Sequence, residues 1–99
     1  MKFKVEYRKK IIPGGYIGMN AKAASELRVP FHHKHESVVE IYKKLSPSER
    51  RKTIKHEEIE YTLMKRKKLK YLPAHLIASY YEKKPGKVSN IIRKEILRR

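Results

Sequence analysis

Apolar and polar residues alternate from Lys2 to Arg8, with Phe3, Val5 and Tyr7 on one side and Lys2, Lys4, Glu6 and Arg8 on the other. A period of two predicts a half-buried β-strand. Ile11-Ile12 then runs into Pro13-Gly14-Gly15, a strong turn signal, and the short apolar run Tyr16 to Met19 predicts a returning strand. Asn20 stands where an N-cap belongs, ahead of a short helix over Ala21 to Leu27 that Pro30 stops. Ser37 to Leu45 fits two patterns. Val38, Ile41, Tyr42 and Leu45 have helical spacing, with Ser37 and Glu40 placed for a capping box. Val39, Ile41 and Leu45 also alternate and β-branched residues are dense, which fits a strand, so the local pattern leaves both open.

The second half reads as helical. Ser46 is an N-cap, Pro47 occupies the first helical position and Glu49 closes a capping box. That helix should run to about Lys65, with Ile59, Leu63 and Met64 in the core and Ile54 and Tyr61 flanking them. Pro73, in a first turn, opens another helix through about Lys83. Its broad apolar face comprises Leu72, Leu76 and Tyr80, with Ile77 and Tyr81. Pro85-Gly86 ends it, and a last helix aligns Val88, Ile91, Ile92 and Ile96. No repeat, low-complexity tract or internal boundary interrupts the pattern. The expectation is one α+β domain over residues 1–99. A small antiparallel sheet in residues 1–45, mainly strands and loops, packs on about three C-terminal helices in residues 46–97.

Composition narrows the chemistry. A chain of 99 residues supports one modest core. It has no Cys, which removes disulfides, thiol nucleophiles and Cys-ligated zinc fingers, so any metal site must use His and Glu. All ten acidic residues are Glu, and Asp and Gln are absent. Lys and Glu enrichment with few heat-labile residues is the hyperthermophile signature, although a short chain also drifts that way by chance. The net charge of +16 attracts polyanions. Its densest block, Lys65, Arg66, Lys67, Lys68 and Lys70, is the candidate surface for double-stranded nucleic acid. The rest of the charge is dispersed, as on a solubilising surface. No apolar run approaches the ~18 residues of a membrane span, and the N-terminus lacks the apolar stretch of a signal peptide. The expected setting is intracellular, with a homo-oligomer left open.

The sharpest pattern is His56-Glu57-x-x-Glu60 on the long predicted helix, followed by His75 early on the next. Positions i and i+4 share a helix face, so His56 and Glu60 converge on one point. His75 can arrive from an antiparallel neighbour as a third ligand. Three protein ligands and one open position describe a catalytic zinc site. Glu57 is then placed to act as general base on a water at that position. Glu82, two turns beyond His75 and close to its direction, can serve as an outer partner of a ligand. The bland alternative is a solvated helix face that balances nearby Lys and Arg, with His75 bonded to a carboxylate at the edge of the core. The cationic connector Lys65 to Lys70 counts against a metal ion nearby. His32, His33 and His35 form a second, weaker His cluster in what reads as a loop.

Arg50 to Glu82 resembles a group of small metallopeptidase-like proteins from phages and mobile elements. The likeness rests on Thr53-Ile54-Lys55-His56-Glu57-Glu58-Ile59-Glu60-Tyr61-Thr62-Leu63-Met64, then Ala74-His75-Leu76-Ile77-Ala78 and Glu82. It covers about a third of the chain and implies a minimal His/Glu metal site, active or vestigial. In that group the segment before the capping box looks like a strand, so the resemblance implies a strand for Ser37 to Leu45. In its length, lack of Cys and composition the whole chain is also similar to small proteins of unknown function from filamentous archaeal viruses, the lipothrixviruses and rudiviruses. That likeness implies a viral protein made in the cytoplasm of a hot host, and implies no activity. The rival function is a basic nucleic-acid-binding protein without chemistry.

Overall fold

A computed structural model describes residues 3–31 and 37–97. The cluster His32, His33 and His35 lies outside the described residues. The elements are β1 (Lys4–Arg8), β2 (Gly18–Asn20), α1 (Ala21–Leu27), β3 (Val38–Tyr42), α2 (Pro47–Arg66), α3 (Tyr71–Tyr81) and α4 (Val88–Ile91). A π-helical turn over Ile92–Ile96 continues α4. The class is α+β, as the pattern predicts.

The sheet departs from expectation in one respect. Its order is β1-β3-β2, with β1 parallel to β3 and β2 antiparallel to it. It is therefore mixed, not antiparallel throughout. Pro13-Gly14-Gly15 closes only a local bridge between Ile12 and Tyr16 and does not fold β1 against β2. The central place goes to β3, the strand with four buried residues in a row, because a central strand is covered on both sides. β2 and α1 lie within the crossover that a parallel pair requires.

Local signals account for the helices. Asn20 is extended and its side chain accepts the Ala23 N–H, capping α1. At the other end Arg28 takes a left-handed φ of 58° and its N–H bonds back to the Ala24 carbonyl. Both halves of the capping box at α2 are formed, Glu49 N–H to Ser46 Oγ and Ser46 N–H to Glu49 Oε1. Every residue from His56 to Met64 is buried. A helix becomes buried all round only when it is covered on all sides, and α2 meets β2, β3, α1, α3 and α4.

The face of α3 is a second correction. Leu72, Leu76, Ile77 and Tyr80, the expected core stripe, are exposed. Ala74 and Ala78 are fully buried instead, and Tyr71 and Tyr81 pack partly against the core. Small side chains let α3 come close to α2, and that close approach brings His75 onto the α2 surface. Ile91 and Ile96 complete the core from the C-terminal segment, with Val88 and Ile92 partly buried beside them.

Candidate metal centre

His56 and Glu60 stand one turn apart on α2, and the close packing of α3 adds His75. His56 Nε2 is 2.9 Å from Glu60 Oε2 and 3.1 Å from His75 Nδ1, which is itself 3.1 Å from the same Glu60 oxygen. One atom from each side chain thus meets in a nearly equilateral triangle. Ligand atoms around a tetrahedral ion at ~2.0–2.1 Å are roughly 3.3–3.4 Å apart. The three atoms need to spread only slightly to hold an ion, and the chemistry of two imidazoles and a carboxylate suits zinc. A metal ion therefore fits this group of residues.

Surrounding bonds fix the orientation of each member. Glu82 Oε1 accepts from His56 Nδ1 at 2.6 Å, which turns Nε2 towards the triangle. The partner of Glu82 is thus His56, not the His75 expected from helical direction. The Tyr71 ring stacks on His75 with centroids 5.2 Å apart, and its hydroxyl is 3.3 Å from Nδ1.

Asn20 was legible only as a cap, yet it also organises the site. It is fully buried, and its Nδ2 donates to Glu57 Oε1 at 3.0 Å and to Glu60 Oε1 at 3.1 Å. Its Oδ1 meanwhile accepts the Ala23 N–H at 2.9 Å. Both amide protons and the oxygen are used, an arrangement a carboxylate cannot reproduce. Gly18 is the other residue the sequence did not single out. A Cβ there would stand 2.6 Å from Thr53 Cγ2 and 3.1 Å from Glu57 Cγ. The missing side chain lets β2 lie directly on α2 beside Glu57.

Charge is concentrated accordingly. Burial alone would push the His56 imidazole down, but the hydrogen bond to Glu60 and the carboxylates of Glu57, Glu60 and Glu82 outweigh it and raise it to about 9. Glu57 is raised well above the ordinary carboxylate range, first by burial and then by the neighbouring Glu60. Burial first, and then Glu60 with Tyr16 and Glu57, push the Tyr71 phenol up to about 12.

The cluster opens into a pocket of about 210 Å³ whose walls come from β2 and the loop before it, α2 and α3. Among the described residues no Lys or Arg lines it. Glu57, Glu60 and Glu82 do, so the pocket gathers carboxylates in a strongly cationic protein. The feared cationic connector does not face it. Arg66, Lys67, Lys68 and Lys70 are exposed around the α2–α3 turn, and Lys65 is half-buried with its ammonium 5.6 Å from the centre of the Tyr61 ring. No helix among the described residues is long and apolar enough to cross a membrane. Compared with known proteins, the chain matches no family model, no curated protein and no solved structure.

Proposed function

We propose that the protein binds a divalent cation, zinc by the chemistry of its ligands, through His56, Glu60 and His75, in a hydrolytic site of minimal metallopeptidase type. The observation that carries this reading is the carboxylate-lined pocket floored by three converging ligand atoms, which no Lys or Arg among the described residues lines. In the metal-free protein, protons held by His56 and Glu57 balance its carboxylates, and a divalent cation at the triangle would take their place. When bound, zinc supplies Lewis acidity and brings water ionisation towards neutral pH. The protein's own residues do the rest. Glu82 holds His56 in the ligating orientation, Asn20 holds Glu57 and Glu60 in place, and Tyr71 covers His75. Glu57 lines the pocket without joining the triangle, and its raised proton affinity suits a group that takes up a proton and returns it near neutral pH.

The test is a zinc titration of protein made without a His tag, followed by thermal unfolding and a peptide-library assay. Zinc at about 100 times its Kd should stabilise the protein by about 2.7 kcal/mol. His75→Ala should abolish that gain, since it removes a ligand whose side chain is partly exposed. Glu57→Gln should keep zinc but lower hydrolysis by ~10²–10⁴. Stability indifferent to zinc removes the metal reading. Zinc binding with no cleavage removes only the hydrolytic one.

A further inference from the structure

The exposed face of α3 is unusual for a small soluble domain. Leu72, Leu76 and Tyr80 stand at i, i+4 and i+8 on one line and are 62%, 61% and 60% exposed, with Ile77 beside them. Nothing in the fold requires this, since the helix is already held by Ala74 and Ala78 on its other side. Cations bracket the line at both ends. Lys67, Lys68 and Lys70 precede it and Lys83 and Lys87 follow it, all exposed. The Lys84 ammonium lies 4.9 Å from the centre of the Tyr80 ring, so cation and aromatic are already paired at the end of the line.

We propose that this face docks on an anionic lipid surface, with the leucines and Tyr80 entering the headgroup–acyl boundary and the flanking lysines meeting acidic headgroups. The proposal is independent of the metal reading. Charge decides among occupants. In a second copy paired through α3, an antiparallel arrangement sets the leading lysines against the partner's trailing ones. A parallel arrangement sets like against like. Both oppose association in a chain of net charge +16. A nucleic-acid duplex satisfies the lysines but offers its phosphate backbone, not an apolar phase, to the leucines. An anionic bilayer satisfies both, which is the physical basis of interfacial binding by apolar faces with basic flanks.

The chain has no Trp, so Leu76→Trp places a single emitter on the face. Mixed with phosphatidylcholine–phosphatidylglycerol vesicles, its emission should shift to the blue and be quenched by spin-labelled acyl chains. Pure phosphatidylcholine should give a much weaker response. In flotation with the unlabelled protein, Leu72→Ser/Leu76→Ser should weaken binding to the anionic vesicles by roughly tenfold or more, as expected for two leucines leaving an apolar phase. Circular dichroism should be unchanged, because both positions are exposed. The proposal is overturned by any of four results: no binding to anionic vesicles, binding that the double variant leaves intact, an emitter that stays in water while protein floats, or a blue shift produced by duplex DNA or self-association instead.

Discussion

Helices α2 and α3 invert the usual relation between composition and burial. α2 is strongly polar in sequence, yet its stretch from His56 to Met64 is buried all round, with His56, Glu57, Glu58, Glu60 and Thr62 inside. α3 is rich in Leu, Ile and Tyr, yet only two alanines of it are fully covered. Hydrophobic pattern predicts burial when packing alone decides a sequence. Here the interior has been given over to a charged cluster and an apolar face has been left outside. Departures of this kind from local rules concentrate where a protein has a task.

The largest test of that inversion is pH. His56 is raised to about 9 by its carboxylates, Glu57 is raised by burial and Glu60, and Glu58 is raised to about 7 by burial. Each binds its proton more tightly in the folded state. Each contribution to stability is therefore full below the group's unfolded value and is lost as pH rises through its folded value. For His56 the window of loss runs from its ordinary 6.5 to about 9. Denaturant unfolding of metal-free protein should thus show a fall of several kcal/mol between about pH 5 and about pH 9. A flat or rising profile would mean that the cluster is not protonated as its burial implies. Zinc should reduce the fall, because a cation replaces the protons.

A smaller effect separates the two faces of α3. Ala78→Leu forces extra methylenes between α3 and α2 at a fully buried position. It should cost about 1–3 kcal/mol and loosen the seat of His75. Equilibrium denaturation measures the first, and a weaker zinc affinity the second. Leu76→Ser on the opposite face should change stability by about 0.5 kcal/mol or less. Comparable losses at the two positions would mean that the leucine face is covered in the folded protein, and the inversion would disappear.

What could be read from the sequence was local. The strand at Lys4–Arg8, the Asn20 cap and the Ser46-Pro47-Glu49 start each depend on a few neighbours, and each stands in the structure. The alternation misplaced one face, since Tyr7 is exposed while Glu6 and Arg8 are half-buried. The convergence of His56 and Glu60 followed from helical spacing, and His75 from a short connector. Long-range choices were not legible. Whether β1 pairs with β2 or with β3 depends on which strand takes the centre, and Pro13-Gly14-Gly15 points to the wrong one. The side of α3 that faces inward depends on how closely two helices approach, which the alanines decide and the leucines disguise. Asn20 looked complete as a cap because its second task involves residues 37 and 40 positions away. Gly18 carries no pattern at all, since its role is the absence of a side chain at one crossing.

Asn20 has one further consequence. The same side chain that steadies Glu57 and Glu60 also holds the Ala23 amide proton. A shift of either carboxylate pulls on the amide, and the pull is transmitted through one planar group to the first turn of α1. The Ala23 N–H is therefore a natural reporter of the site. Its NMR resonance and its rate of exchange with deuterium should follow the occupancy of the pocket, allowing the centre to be read from outside without a substrate.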